Sequence, residues 1–452
     1  MPERLKSMAK WGYSRLPLKV RWGKEFFRQL EFLEKSQWWS KEELENFQNE
    51  RLRLLVKHAY EKSPYYHRIF KENRLLPNDI KRVEDLAKLP ILTKDMVRTH
   101  FKEMIATNID KKSLLRFSTS GTTGEPLIFF SEKRLEFFNF GPYMWRHYRW
   151  GRQGFRDLKV ILGSYIVKGD KHGRKQIIHY NPARSQLIFS SYDINYKNVP
   201  FFAEALKKYQ PKFIEAFPAS LEALIGFFKE LGIKRPVQPR AIFTNSEVLY
   251  PWQRKLIGEY FGCELFDVYS LEERVVIAAE CEKHTGHHIF SEYGIVELVE
   301  AGKPISDGKS GEIVATSLNN YGMPFIRYNT KDIGYFKESC PCGRGLPLLD
   351  LVGGRKRNFI VSKSGSIISV TIVDIPNASD NVKQFQFIQR EKGKLELQII
   401  RKNSFSPGDL KKIREKLKEK FFNDFDVEIK AVDSIRKTQS GKQPLLIQKL
   451  KI

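Results

Sequence analysis

The chain is short of cysteine, of long apolar runs and of acidic charge, and each shortage excludes something. Only four cysteines occur in 452 residues, Cys263, Cys281, Cys340 and Cys342. So few rule out a scaffold held together by disulfides, as small secreted domains are. No apolar run reaches the roughly 20 residues that a bilayer-spanning helix needs, so no transmembrane segment is expected. The first stretch, MPERLKSMAKWGYSRLPLKVRWGK, is basic but has no apolar centre. It does not read as a secretory signal, and a cytoplasmic protein is expected. Acidic residues number 53 against 78 Lys and Arg, leaving a net charge of +25. The basic residues are spread along the chain rather than gathered in one arm, as on a lysine-rich soluble surface. No recognition helix, zinc-finger spacing or RNA-stacking motif accompanies them, so no specific nucleic-acid partner is expected. The charge leaves a peripheral contact with an anionic membrane open. A dimer is also left open, because nothing in the sequence sets the oligomeric state.

What is present is apolar and aromatic residue in quantity: 41% hydrophobic, with 33 Phe and 18 Tyr. That supports a real core, and the length suggests two or three domains. Ser40 followed by Glu43 forms a capping box, and Leu52, Leu55, Val56, Ala59 and Tyr60 then share one helical face. That helix should stop before Pro64. LPILTKDMV (89–97) reads as a short apolar element followed by a capped helix start. In the middle of the chain, helical segments (FFAEALKKYQ, ASLEALIGFFKELGI) alternate with strand-like runs (PKFIEAF, PRAIFTNS, CELFDVYS). This is the signature of an α/β core with a largely parallel sheet. From about Val382 the order becomes strand, strand, helix, strand, a small α+β module. The boundary falls near GGRKR (353–357), giving a core over 1–353 and a small domain over 354–452.

Two local patterns carry chemistry. FSTSGTTGEPLIFF (117–130) sets a glycine- and hydroxyl-rich loop between two strand-like runs. Gly121 and Gly124 let the backbone turn and approach a ligand, and successive N–H groups can form an anion nest. A solvated turn has the same composition. It is not a P-loop, and DGKSG (307–311) is not one either, because Lys303 stands where that motif needs its first glycine. The second pattern is Cys340-Pro-Cys342-Gly, with Cys281 upstream, followed by His284, His287 and His288. Three thiolates and one imidazole make an ordinary tetrahedral Zn²⁺ shell, and a closed shell of that kind is structural. Buried free thiols are the plainer alternative, and Cys263 is expected to pack in the core.

The string Ser-Thr-Ser-Gly-Thr-Thr-Gly-Glu-Pro resembles the phosphate loop of the adenylate-forming superfamily of acyl-CoA synthetases. Further stretches resemble that family in its order: TNSE (244–247), YSLEE (269–273), RYNTKD (327–332), GGRKRNFIVSKSG (353–365) and RKTQSGKQP (436–444). The helix RLRLLVKHAYEKSPYYHRIF and the series AEC, HHI, CPCGR resemble the phenylacetate–CoA ligase-like branch, which includes relatives linked to capsule polysaccharide synthesis. The resemblance implies a large N-terminal adenylate-forming α/β core and a mobile C-terminal α+β lid. It implies that Ser118, Thr119, Ser120, Gly121, Thr122, Thr123 and Gly124 hold the ATP phosphates. Glu247 would lie beside adenine, and Tyr269 would stack on it. Asp332 would accept the ribose hydroxyls, with Arg355 contacting the ribose. Glu273 would hold Mg²⁺, and Lys442 would be the catalytic lysine. His288 is the fourth zinc ligand that the branch's Gly-x-His-Ile pattern favours, beside Cys281, Cys340 and Cys342.

The expected activity is ATP-dependent conversion of a carboxylic acid, aryl or arylacetic, to an acyl-adenylate, then transfer to a thiol such as CoA. The expected cofactors are ATP, Mg²⁺, CoA and structural Zn²⁺. An adenylate-forming or adenylyl-transferring enzyme with a non-CoA acceptor in polysaccharide biosynthesis, or a non-catalytic relative, is the alternative. Departures stand at Ser270, Glu272, Asn358 and Lys331. The last replaces a glycine, so a positive φ there would strain it. The aromatic stretches 136–145 and 215–220 are candidate walls of the acid pocket.

Overall fold

The computed structural model describes residues 12, 15–118, 127–133, 140–163, 177–194, 196–305, 308–355, 359–363, 367–369, 378–379, 381–421, 424–437 and 444–450. The chain divides into two compact units. One gathers Met1–Asp157, Pro182–Arg184 and Phe266–Val352, the other Leu158–Asn181, Ser185–Leu265 and Gly353–Ile452. Among the described residues, no helix is long and apolar enough to cross a membrane.

In the first unit, the helix Lys41–Lys62 starts where its capping box puts it. Ser40 Oγ accepts from Glu43 N at 3.2 Å, and the Glu43 carboxylate accepts from Ser40 N at 2.7 Å. Leu52, Leu55, Val56 and Ala59 are buried in one cluster with Leu92, Met323, Phe325 and Tyr328. Ser63 is extended, and Pro64 opens the next helix, Pro64–Glu72, at the position a proline tolerates best. Leu92 is stitched to the start of the strand Tyr328–Lys337: its N–H donates to Arg327 O at 2.8 Å, and its carbonyl accepts from Asn329 N at 2.9 Å. Thr93 then caps Lys94–Thr99.

The strands of this unit pair antiparallel. Gly294–Glu300 lies between Lys303–Pro304 and Gly311–Ser317, which in turn pairs with Tyr328–Lys337. His287–Ile289 lies between Ile277–Glu280 and Leu348–Arg355. The sequence pattern led us to expect mostly parallel pairing. Here the connections are too short for a crossover: Ala301 and Gly302, both at positive φ, turn one strand directly into the next. Leu114–Ser118 and Ile128–Glu132 also pair antiparallel, down to Ser118 opposite Ile128. These two strands flank, in the chain, the stretch expected from the sequence to bind phosphates.

The parallel strands lie in the second unit. Lys159–Gly163 pairs parallel with Gln186–Ser190 and Phe213–Ala216, and Phe213–Ala216 with Ala241–Asn245. The helices Val199–Tyr209, Pro218–Glu230 and Pro251–Phe261 lie between strands in the chain, as crossovers require. The C-terminal strands stand in the order Asp426–Ala431, Lys394–Arg401, Val382–Glu391, Leu446–Gln448. The helix Pro407–Phe421 lies between the second and first of these in the chain. Phe385 from this module shares a cluster with Tyr250 and Trp252, whose rings stack 4.5 Å apart. Lys383 Nζ sits 4.5 Å from the rings of Tyr196 and Phe227 and pairs with Glu230 at 3.2 Å.

One pair in the first unit is fully enclosed. Arg146 donates to Glu292 at 2.8 Å, both side chains are at most 1% exposed, and the guanidinium lies 3.9 Å from the Phe290 ring. Either charge left alone would be buried without an opposite charge, keeping only a neutral partner: the Leu33 carbonyl for Arg146, the Ser36 hydroxyl for Glu292. Arg146→Met or Glu292→Gln should therefore lower folding stability by about 3 to 5 kcal/mol, and the Arg146→Met/Glu292→Met double variant should lose much less than the sum. Urea denaturation of the three variants measures this, and additive losses would contradict it.

Candidate active site and metal centre

The strand Tyr328–Lys337 bulges where the sequence predicted a ribose-binding aspartate. Asn329 lies opposite Val314, and Ile333 opposite Glu312, so residues 330–332 include extra chain. Side chains supply bonds the ladder loses there. Asn329 Oδ1 accepts from Lys331 N at 2.8 Å, and Thr330 Oγ1 accepts from Asp332 N at 3.0 Å while donating to Ile313 O at 2.8 Å. A bulge re-aims the side chains within it. Asp332 is buried and accepts a hydrogen bond from the Tyr269 hydroxyl at 2.8 Å. Lys331 is exposed at φ 67°, the left-handed region where glycine costs least.

Glu273 follows Tyr269 on the turn after the strand Glu264–Ser270 and is 3% exposed. Its Oε1 accepts from the Tyr328 hydroxyl at 2.7 Å and pairs with Lys94 Nζ at 3.2 Å. The neighbouring Glu272 is exposed, with Arg274 Nη2 at 4.0 Å. Mg²⁺ prefers several oxygen ligands and keeps waters. The described residues place one buried carboxylate here, and an ammonium group already balances it. They do not fit a divalent cation as they stand.

The remaining nucleotide-site expectations divide between the units. Glu247, in the second unit, accepts from Ala219 N at 3.2 Å in the first turn of Pro218–Glu230, where a carboxylate complements the helix dipole. Ser118 ends its strand, and Arg355 ends Leu348–Arg355; neither side chain is among those described. Thr119, Ser120, Gly121, Thr122, Thr123, Gly124, Asn358 and Lys442 lie outside the described residues.

The cysteine pattern closes into a cluster. The donor atoms of Cys281, His288, Cys340 and Cys342 all lie within 4.8 Å of one another. Cys281 Sγ is 3.6 Å from Cys340 Sγ, and Cys342 Sγ is 3.4 Å from His288 Nε2. Zinc–ligand bonds of about 2.3 Å to sulfur and about 2.0 Å to nitrogen give tetrahedral edges of about 3.8 and about 3.5 Å, so the donor set fits the ion. The surroundings suit thiolates. Lys283 N and Arg344 N donate to Cys281 and Cys342, each at 3.4 Å, and the Thr285 hydroxyl donates to Cys340 at 3.1 Å. His288 turns Nδ1 to the Leu346 carbonyl at 3.3 Å, which leaves Nε2 for the cluster.

Burial lowers the His288 pKa to about 4, keeping the ring neutral. Burial raises the Cys281 thiol. It also pushes Cys340 up, but hydrogen bonds from Thr285 and the Cys342 backbone outweigh it and hold that thiol low. His287 faces away from the cluster and meets Asp267 through Nε2 at 2.9 Å. Cys263 is half-buried against the second unit's core, its thiol pushed up to about 12 by burial.

Sequence reasoning did not single out Lys94 or Tyr328. Tyr328 lay inside the quoted RYNTKD. Lys94 lay in a capped helix start with nothing to distinguish it from other lysines.

Comparison with known proteins defines the class first. The fold is that of adenylate-forming CoA ligases. The chain superposes on 2-hydroxyisobutyryl-CoA ligase in its postadenylation state, in complex with R3-HIB-AMP, with a TM-score of 0.71. That match covers 91% of this chain and 90% of the other at 17% identity. The anthranilate CoA ligase AuaEII, in complex with anthranoyl-AMP, gives a TM-score of 0.51 over 79% of this chain and 73% of the other at 15% identity. By sequence the relatives are more particular. Protein CapK of Staphylococcus aureus is 22% identical over 96% of this chain and 94% of that protein. The phenylacetate-coenzyme A ligase of Thermus thermophilus is 25% identical over 79% and 80% respectively. Residues 359–449 match the family described as the CapK C-terminal domain.

The strained position gives a test of the bulge. Lys331→Gly should match or exceed the parent in stability by up to about 1 kcal/mol, while Lys331→Val should fall about 1 to 2 kcal/mol below Lys331→Gly. Thermal melts of the pair decide; a valine variant as stable as the glycine one would mean that the bulge is not held in the left-handed region.

Proposed function

We propose that this protein activates a carboxylic acid with ATP as an acyl-adenylate and passes the acyl group to a thiol, with CoA as the acceptor. The observation that carries the reading is Asp332: a buried carboxylate, re-aimed by a bulge and oriented by Tyr269, on a chain with the fold of acyl-CoA ligases. Asp332 offers two oxygens to the ribose hydroxyls, as a carboxylate acceptor does well. The hydroxyl-rich stretch that we assign to the phosphates lies in the chain between the paired strands Leu114–Ser118 and Ile128–Glu132. Attack of a carboxylate on the α-phosphorus brings two anions together, so donors and positive charge must surround that centre. The sequence assigns that role to Lys442, on a C-terminal module (354–452) that we read as a lid. The likeness to phenylacetate-coenzyme A ligases favours an aryl or arylacetic acid. A cytoplasmic setting, where ATP and CoA are at hand, suits this chemistry. The near full-length likeness to Protein CapK favours a second reading, in which the adenylate goes to another acceptor in capsule polysaccharide synthesis.

We further assign structural Zn²⁺ to Cys281, His288, Cys340 and Cys342, supported by the tetrahedral spacing of their donors. The ion would bind the turn after Ile277–Glu280, the strand His287–Ile289 and the loop before Leu348–Arg355 to one another.

ATP–pyrophosphate exchange should depend on the added carboxylic acid and need no thiol. CoA-dependent AMP release should follow; exchange without it would select the second reading, and no exchange across a broad acid panel would remove both. Lys442→Ala should lower adenylate formation by roughly 100-fold or more, yet leave thioester formation from pre-made acyl-AMP near the parent rate. Equal loss in both steps would contradict the lid role. Metal analysis should find one zinc per chain, lost in Cys340→Ser and Cys342→Ser. His288 stays neutral down to about pH 4, so zinc lost on acidification should track thiolate protonation instead. A metal-free, fully folded chain would end the zinc assignment.

A further inference from the structure

Among the described residues ten large apolar side chains stand exposed. Three of them, Tyr180, Phe201 and Tyr209, lie on or against one helix of the second unit, Val199–Tyr209, and Tyr196 stands just before it. Scattered exposed apolar residues need no explanation, whereas a gathered set marks an interaction surface. The helix buries Val199, Phe202, Ala203, Ala205 and Leu206. Its other side turns Phe201, Glu204, Lys207 and Lys208 to solvent, as a 3.6-residue period requires. Phe201 and Lys208, seven residues apart, share one stripe of that side. At the C-terminal end the Tyr209 ring stacks on Tyr180 at 5.8 Å, and Lys208 Nζ lies 5.4 Å from the Tyr209 ring. Tyr180 comes from Ile178–Asn181, the last strand of its sheet, which pairs on one side only. Phe201 and Tyr180 are 52% and 47% exposed, so each keeps about half its surface in water. The same stretch is basic. Within 197–212 the charges are Lys197, Lys207, Lys208 and Lys212 against Glu204 alone, and all five are exposed.

We propose that this face docks on the anionic phospholipid headgroups of a membrane, with Phe201 entering the headgroup layer and Lys207 and Lys208 meeting the phosphates. Charge complementarity selects the partner. A chain of net charge +25 is drawn to an anionic leaflet, and lysines close to that surface add to the attraction. The helix also has the layout of one that lies in an interface: apolar residues on its protein side, with an aromatic ring and lysines together on the side that meets lipid. The lysine stems reach along the rings while their ammonium groups stay among the phosphates. A single-stranded nucleic acid would instead need open ring faces on which successive bases stack. Tyr180 and Tyr209 each give one face to the other. The attachment is shallow and largely electrostatic, hence reversible and weakened by salt.

The test floats the full-length protein with vesicles of equal parts phosphatidylglycerol and phosphatidylcholine, and with phosphatidylcholine alone. At low salt, binding to the anionic vesicles should exceed binding to the neutral ones at least about tenfold and fall steeply as salt is added. Lys207→Glu/Lys208→Glu should weaken it at least about 20-fold, since each lysine near such a surface strengthens binding about fivefold. Phe201→Ser should weaken it about fivefold with the charge unchanged. Lys411→Glu/Lys412→Glu makes the same charge change on exposed lysines of the helix Pro407–Phe421. It should stay within about threefold of the parent, because charges away from the contact are screened. Equal loss in the two charge reversals, or no loss in Phe201→Ser, overturns the proposal, since binding would then follow net charge alone. Failure to float with the anionic vesicles overturns it as well. So does tighter binding to a uridine oligonucleotide than to vesicles, or a dimer of the parent that Phe201→Ser dissociates in sedimentation. Should Lys207→Glu/Lys208→Glu fail to fold, Lys207→Gln/Lys208→Gln serves in its place. Pyrophosphate exchange plays no part in these readings, so their failure leaves the acid-activation reading untouched.

Discussion

The candidate site hangs on the buried guanidinium of Arg327. This side chain is 2% exposed, pairs with Glu297 through Nε at 3.2 Å and Nη2 at 3.0 Å, and donates through Nη1 to the Leu89 carbonyl at 2.6 Å. Its own N–H bonds Thr316 Oγ1 at 2.9 Å. One residue thereby ties together the segment before Lys94, the strands Gly294–Glu300 and Gly311–Ser317, and the start of Tyr328–Lys337. It does so at positive φ, a conformation tolerated only where the surroundings over-determine it. Burial raises the pKa of Glu297 against the pull of Arg327, so the pair is a costly one whose return is position rather than stability.

From that anchor the chemistry follows along a few residues. Tyr328, the next residue, reaches Glu273; the bulge then turns Asp332 toward Tyr269. The stretch RYNTKD thus supplies, in sequence, an anchor, a hydroxyl that meets Glu273 and a buried carboxylate. Lys331 within it carries the conformational cost of the bulge. Strained backbone and buried charge meet at one place, as they do where binding geometry outranks local stability.

The cysteine cluster constrains a different part of the same unit. Its CPCGRG loop presses on the corner between the first two long helices: Gly345 N donates to Gln37 O at 3.1 Å, and Arg344 Nε donates to Gln37 Oε1 at 3.0 Å. A Cβ on Gly345 would stand 1.8 Å from the Trp39 carbonyl oxygen, so glycine is required by close approach. A metal there would fasten short strands whose own ladders are only a few residues long.

Much of this was legible in the sequence, because the signals are local. The capping box at Ser40, the helix stop at Pro64, the pairing of the strands at 114–118 and 128–132 and the strand–strand–helix–strand order of the C-terminal module each depend on residues a few positions apart, where capping, proline geometry and side-chain period act. The donor set Cys281, Cys340, Cys342 and a histidine was likewise written in residue type. Tertiary structure decided the rest. It made the first unit's sheet antiparallel, bulged the chain at Lys331 and set Lys94 against Glu273. Those outcomes depend on which strands lie side by side and in what register, and a one-residue change of register moves a side chain to the opposite face. Local sequence reports which face a residue prefers; only the assembled sheet determines which charge it meets there.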